Sequence, residues 1–270
     1  MFQDISPHIF NNQYVPCDPK EGDIGIFIQN GTVLCKVEEG TLSMPVLDRQ
    51  SLKSARRYLF SIDDIKFFRL SDKDSFPDFS MRTYHELFSL SPDWLVFGAL
   101  TALRLTTWYE ENQFCGRCGS RLEPSEKEHM LFCPQCGNQI YPRISPAIIV
   151  AVRDGEKLLL TKYAHGYSHY ALVAGFAESG ETIEETVKRE VLEETGIHVK
   201  NITYFGSQPW PHSGSLLLGF YCDLDGDNSI TLQKSELSVG TWVDRTSLPL
   251  QQNTLSLTST LMESFRNGTI

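Results

Sequence analysis

Hydrophobic positions along this chain fall into many short β-like runs separated by polar turns, with three longer stretches of helical spacing. Ile24–Ile28 and Thr32–Val37 flank Asn30-Gly31, whose two residues tolerate positive φ, so a hairpin is predicted there. Arg57–Phe60 and Ile65–Leu70 read as further strands. Ser91-Pro92-Asp93 supplies an N-cap and an N1 proline for a helix from Trp94 towards Tyr109, whose broad apolar face calls for packing on several sides. From Tyr141 the pattern turns to β: Ala147–Val152 and Lys157–Thr161 lie around the turn Asp154-Gly155. A glycine-punctuated loop and helix follow from Gly175 to Glu194, then strands at Leu216–Cys222 and Gly240–Val243 and a closing amphipathic helix at Leu255–Phe265. The predicted fold class is α+β in three parts: an N-terminal α+β domain over 1–110, a cysteine-rich module over 111–140 and a domain of strands and helices over 141–270.

Composition narrows the function. Of 270 residues, 41% are hydrophobic and 21% charged, which supports packed cores rather than disorder. The net charge of −10 disfavours broad nonspecific binding to nucleic acid. It leaves room for an anionic ligand, because a divalent metal reverses the local charge at one site. The start, MFQDISPHIF, lacks a basic segment followed by an apolar run, and the apolar stretches are too short to cross a bilayer. A cytoplasmic, non-membrane protein is expected.

The densest chemistry lies in GFAESGETIEETVKREVLEETGI, from Gly175 to Ile197. Thr182 with Glu185 fits a capping box, so a helix should begin near Ile183. Glu190 and Glu194 then share a face with Glu193 beside them, while Val187 and Val191 anchor another face. Clustered carboxylates repel, and hard divalent cations offset that repulsion. A run of glutamates alone is commonly a solvated face. Here Gly175, Glu181, Arg189, Glu190, Glu193, Glu194 and Gly196, with aliphatic Val191 and Ile197, match every defined position of the Nudix box, and chance agreement is negligible.

The segment therefore resembles the catalytic element of the Nudix hydrolases. The resemblance implies that Glu190 and Glu194 ligate Mg²⁺ or Mn²⁺, with Glu193 a ligand or a water-positioning group. Glu181 and Arg189 would support the geometry. Family members cleave a nucleoside diphosphate linked to another moiety, with metal neutralising the diphosphate and activating water.

Cys115-x-x-Cys118 and Cys133-x-x-Cys136, each followed by glycine, read as one four-thiolate zinc site. Four protein ligands leave no open position, so this Zn²⁺, one per chain, is structural. A pair of redox motifs is the lesser alternative. Glu123, Glu126 and Glu128 make the module too acidic for nucleic-acid binding to be the first choice. Cys17, Cys35 and Cys222 read as small apolar residues.

The array Ser207-Gln208-Pro209-Trp210-Pro211-His212-Ser213-Gly214-Ser215, with the ribbon upstream, resembles the NADH pyrophosphatase branch of the NudC type, whose array is SQPWPFPxS. His212 and Ser213 depart from it. This likeness implies a Nudix α/β/α sandwich with a mixed sheet behind the ribbon, and a nucleotide site lined by Gln208 to Ser215. Tyr141 and Phe176 would stack on rings of the ligand. Glu236 would complete the metal set and Ala174 would offer a backbone carbonyl. Arg82 and Glu128 would reach substrate from the N-terminal domain and the ribbon. Without the resemblance, Trp210 reads as a core aromatic and the other rings as ordinary packing.

The implied reaction is hydrolysis of NADH or NAD to nicotinamide mononucleotide and AMP, with removal of NAD caps from RNA as a further substrate class, in a homodimer that shares its site. Two other readings compete: a Nudix enzyme for ADP-ribose or another dinucleotide, and a non-catalytic nucleotide sensor. The intact Glu190, Glu193 and Glu194 speak against the sensor.

Overall fold

The computed structural model describes residues 1–166, 169–211, 213–250 and 255–269. The chain divides into two units, Phe2–Arg143 and Ile144–Ile270 with Met1.

In the first unit, one sheet has the strand order Phe10–Asn11, Ala55–Ile62, Ile65–Leu70, Ile24–Ile26. In a second, Thr32–Glu38 pairs with Ile28–Gln29, Thr41–Ser43 and Ser80–Thr83. Asn30 and Gly31 turn the hairpin with φ of 51° and 71°. The strand predicted over Ile24–Ile28 is split. Ile24–Ile26 runs parallel to Ile65–Leu70, whereas Ile28 pairs with Val33 in the other sheet. Ile24, Ile26 and Ile28 are all buried, so the apolar run gives no sign of the switch.

The long helix is Asp93–Glu111, with Pro92 rather than Ser91 at the N-cap. Ser91 is claimed by pairing: its N–H donates to Gly40 O and its carbonyl accepts from Leu42 N–H. That holds Ser91 extended, as a residue before proline prefers, and the N-cap falls one position later than predicted. A small three-stranded sheet of Glu123–Pro124, Leu131–Phe132 and Gln139–Ile140 closes this unit.

The second unit is one six-stranded sheet: β1 (Ser145–Asp154), β2 (Lys157–Tyr163), β3 (Val173–Phe176), β4 (Val199–Trp210), β5 (Ser215–Leu224) and β6 (Leu237–Asp244). The order is β4-β5-β1-β2-β6, with β3 also on β1. β1 and β5 are parallel and the other pairs antiparallel, so the sheet is mixed. Two helices, α1 (Ile183–Thr195) and α2 (Leu257–Asn267), cover it. Alternation along β1 decides which goes where. Ile148, Val150 and Val152 pack with Val187 and Val191 of α1. Ile149 and Ala151 pack with Leu257, Leu261, Met262 and Phe265 of α2. The result is the predicted α/β/α sandwich. Val187 and Val191 are fully buried, each worth roughly 1.5–3 kcal/mol.

Three details differ from expectation. The β1–β2 turn is Gly155-Glu156, because Asp154 already pairs with Lys157. The tryptophan array is itself part of a strand: β4 has 12 residues and absorbs Ser207 to Trp210. The closing helix begins at Leu257, where Ser256 accepts the Ser259 N–H as a cap, and extends to Asn267. Among the described residues, no helix is long and apolar enough to cross a membrane.

Candidate functional site

Both ends of α1 are fixed by hydrogen bonds. At its start Thr182 Oγ1 accepts the Glu185 N–H at 3.2 Å, and the Glu185 carboxylate accepts the Thr182 N–H at 2.8 Å, the capping box expected from sequence. At its end, carbonyls that lack helical partners would need other donors. Glu194 O accepts from Gln233 N–H at 3.0 Å and Thr195 O from Thr231 N–H at 2.9 Å. The polar segment before β6 is thereby tied to the helix end. Gln233 Nε2 also donates to Glu236 at 3.2 Å, and Glu236 lies close enough to raise the pKa of Glu190 and Glu194. Thr231 and Gln233 belong to no motif, and an ordinary polar loop gives no signal of this role.

Arg189 organises the loop. Its Nε and Nη2 grip the two oxygens of Glu181 at 2.5 and 2.9 Å, a bidentate pair. Nη2 also donates to Phe176 O at 3.0 Å, and Nη1 to Glu190 at 2.8 Å and Glu193 at 3.0 Å. Thr186 Oγ1 and the Glu178 N–H add bonds to Glu181. With the guanidinium as the main cause, the Glu181 carboxyl is held down at about 2. Nothing local marks Thr186 as a partner of Glu181; the fold brings the two together.

Glu190 packs over β3. A Cβ built on Gly175 would lie 2.0 Å from Glu190 Cδ, so no other residue fits at 175 without moving that carboxylate. Glu194 is only 3% exposed, and no hydrogen bond to its carboxylate occurs among the described residues. Burial first, then the charges of Glu190, Glu236 and Glu193, push its pKa up to about 8. Burial also raises Glu190. Glu193 is more open, with 53% of its side chain exposed. Glu190, Glu193 and Glu236 line a cleft of about 600 Å³.

A buried, unpartnered carboxylate among three others is the donor chemistry of a hard divalent cation, which would offset both the repulsion and the desolvation. Among the described residues, only the cysteine cluster gathers three or more metal-ligating atoms within 4.8 Å of one another.

That cluster holds Cys115, Cys118, Cys133 and Cys136, with Sγ pairs at 3.6 Å (Cys115–Cys136) and 3.4 Å (Cys118–Cys133). Each pair sits in a tight turn: Gly119 N–H returns to Cys115 O and Gly137 N–H to Cys133 O, with both glycines at positive φ. Two turns presenting four convergent thiols match a closed tetrahedral zinc site.

Comparison with known proteins covers the regions of both centres. Residues 143–261 match the family model of the NUDIX domain, and residues 110–141 that of the NADH pyrophosphatase zinc ribbon domain. The chain carries a NUDIX domain directly behind an NADH pyrophosphatase zinc ribbon. A protein named NAD-capped RNA hydrolase NudC from Enterobacter sp. (strain 638) is 42% identical over 149 residues, covering 55% of this chain and 57% of that one. Its namesake from Haemophilus influenzae (strain PittEE) is 44% identical over 144 residues, covering 52% and 54%. The chain thus spans little more than half the length of the curated relatives it matches. A crystal structure of a NUDIX hydrolase from Nitrosomonas europaea superposes with a TM-score of 0.50 at 23% identity, over 58% of this chain and 93% of that one, and shows the shared fold. The four thiols are accordingly a structural zinc site of the NudC-type ribbon.

The NudC-type array closes the β4–β5 hairpin: Trp210 pairs with Ser215, and Gly214 N–H returns to Trp210 O at 3.0 Å. Trp210 is half-buried, Pro209 and Ser213 are exposed, and Pro211, Gly214 and Ser215 are buried. Ser213 and Ser215 share a hydrogen bond of 2.7 Å between their hydroxyls. His212 lies outside the described residues. Gln208 is fully buried, and its amide receives the Leu257 N–H and donates to Leu255 O, both at 2.8 Å, fastening the start of α2. In β3, the register of Ala174 opposite Ile149, with the Ala177 N–H on Pro146 O, puts Ala174 at a non-hydrogen-bonded position. Its carbonyl points away from β1, on the side where Phe176 O meets Arg189. Phe176 is 53% exposed.

The remaining sequence candidates belong to the first unit. Tyr141 is half exposed and its hydroxyl donates to Glu128 at 3.3 Å. Arg82 pairs with Glu86 at 3.0 Å.

Proposed function

We propose that the protein hydrolyses the diphosphate bond of NAD(H), yielding nicotinamide mononucleotide, reduced or oxidised, and AMP, and that it removes NAD caps from RNA as its relatives' name states. The observation that carries the reading is the buried, unpartnered Glu194 beside Glu190, Glu193 and Glu236, on a helix locked by the Arg189–Glu181 fork. Glu190, Glu193, Glu194, Glu236 and the Ala174 carbonyl would hold Mg²⁺ or Mn²⁺. When bound, the metal supplies charge neutralisation of the diphosphate and an acidified water. The chain's own part is to hold the carboxylates in place: Arg189 restrains Glu190 and Glu193, Glu181 restrains Arg189, and Gly175 leaves room for Glu190. Phe176 and the Trp210 hairpin would receive the base or nicotinamide ring, and Tyr141, Glu128 and Arg82 would add contacts to substrate.

We assign the N-terminal domain to 1–110, the ribbon to 111–140 and the Nudix domain to 141–270, in a cytoplasmic homodimer. Light scattering tests the dimer. Cleavage of ADP-ribose or another dinucleotide is the second reading, favoured by His212 and Ser213 where the branch has Phe and Pro.

Purified protein and Glu194→Gln are incubated with NADH, NAD, ADP-ribose, diadenosine diphosphate and NAD-capped RNA, with Mg²⁺ or Mn²⁺. AMP from NADH or NAD, lost in the variant, is expected. No cleavage of any substrate overturns the enzyme. ADP-ribose cleaved far better than NADH overturns the substrate alone.

A further inference from the structure

In the first unit, Arg57 and Arg69 stand directly opposite each other on the antiparallel strands Ala55–Ile62 and Ile65–Leu70. Like charges in that position destabilise a sheet. Glu110 of the long helix answers one of them, at 3.0 Å from Arg69. Arg57 pairs with no carboxylate among the described residues. Its guanidinium lies 5.2 Å from the centre of the Tyr109 ring and donates to the Tyr14 hydroxyl at 3.3 Å. Both arginines line a cleft of about 320 Å³, at the small end of the range for ligand pockets. Arg121, from the ribbon segment, lines the same cleft, and no hydrogen bond or ion pair to its guanidinium occurs among the described residues. A neighbouring cleft of about 480 Å³ shares Arg69 and Glu110 and adds Arg56. Glu110 is the one carboxylate lining either cleft among the described residues.

A chain with a net charge of −10 thus gathers three guanidiniums around one carboxylate. The two positive charges left over match a phosphate monoester, which carries close to two negative charges near neutrality. A carboxylate ligand would leave one guanidinium unanswered. The planar fork of each guanidinium suits phosphate oxygens. We propose that this cleft binds a phosphate dianion, free or as the phosphate of a monoester, clamped between Arg57 and Arg69 on the sheet and Arg121 on the ribbon. The carboxylate site on α1 takes no part, so this proposal stands or falls independently of the hydrolase reading.

Two sources share that chemistry, inorganic phosphate and a mononucleotide, and calorimetric titration of the full chain in chelator separates them. The titrants are inorganic phosphate, AMP, adenosine and an oligoribonucleotide without a terminal phosphate. Arg121→Gln is the main variant, because the residue is exposed and its guanidinium holds no bond among the described residues; Arg57→Gln is the second. Phosphate, AMP or both should bind the parent protein, and each variant should weaken that binding about tenfold or more, the loss of one charged hydrogen-bond partner. AMP tighter than phosphate identifies a mononucleotide site; equal binding identifies phosphate itself. Adenosine should not bind. The proposal is overturned if neither anion binds, if both variants bind AMP and phosphate as the parent does, or if the oligoribonucleotide binds as tightly as AMP and loses affinity in Arg121→Gln. The last result marks a surface for phosphodiesters instead.

Discussion

Gly175 and Glu190 occupy one space: a Cβ on the glycine would sit 2.0 Å from the Cδ of the glutamate. The glycine that opens the Nudix box is therefore required by contact with a carboxylate 15 positions later, on a different element.

Gly175→Ala should displace Glu190 while leaving the sandwich intact, since the neighbouring strand and helix keep their buried valines. Misplacement of a reacting group by about 1 Å costs on the order of 10²-fold in rate. The expected result is a fall of that order in kcat for NADH cleavage with an unchanged far-ultraviolet circular dichroism spectrum. Activity near the parent's would mean that Glu190 has slack the packing does not reveal.

Glu194 and Glu181 tie stability to pH with opposite signs. The Glu194 pKa is raised to about 8, so the folded state binds its proton more tightly than the unfolded chain, where the value is about 4.3. Its contribution is full below pH about 4.3 and is lost as pH rises through about 8. Glu181 is lowered to about 2, so its contribution is present above pH about 4.3 and lost as pH falls towards 2. In chelator, the Tm of the parent should drop relative to Glu194→Gln between pH 5 and 9. A constant difference across that range would count against the desolvated carboxylate.

Glu181→Gln should loosen Arg189 and, through it, both Glu190 and Glu193. Lower kcat is expected with the Tm also reduced, and the Tm difference from the parent should shrink as pH approaches 2. Tm measurements between pH 2 and 7 test this.

Removal of zinc should unfold the ribbon, whose three strands are two residues each and cannot persist without the metal. Elemental analysis should find one zinc per chain. Cys118→Ser should lose the metal and become sensitive to limited proteolysis within 110–141. Full zinc occupancy in that variant would remove the four-thiolate assignment.

Gln208→Ala removes the bonds that hold the start of α2 and leaves a buried Leu257 N–H unsatisfied. The cost should be about 1–3 kcal/mol for that group, read from the denaturant midpoint.

Much of the second unit was legible in the sequence because one physical rule operates at each point. A capping box fixed the start of α1, and strand alternation sent Ile148 and Ile149 to opposite layers. Legibility failed where a residue's partner lies far along the chain. Ile24–Ile28 reads as one strand because burial is uniform, yet Phe67 and Val33 claim its two ends for different sheets. Ser91 reads as a cap until Gly40 and Leu42 claim its backbone. Gln208 reads as a ligand contact in its array, but Leu255 and Leu257, 47 and 49 positions away, take its amide. The carboxylates on α1 were plain from local spacing, whereas the means of holding Glu236 beside them, the bonds of Thr231 and Gln233 to the helix end, rests on backbone groups that every residue possesses.

β1 supplies alternate side chains to two separate hydrophobic layers while pairing with β5 on one edge and with β3 and β2 on the other. Replacing Ile149 by another aliphatic residue disturbs only one layer. Inserting a single residue between Ile148 and Val152 inverts the facing of every later position, turning apolar groups meant for α1 towards α2 and breaking three ladders at once. This strand should accept exchange of side chains freely and changes of length hardly at all, so natural or engineered length variation in this unit belongs in its turns, such as Gly155-Glu156.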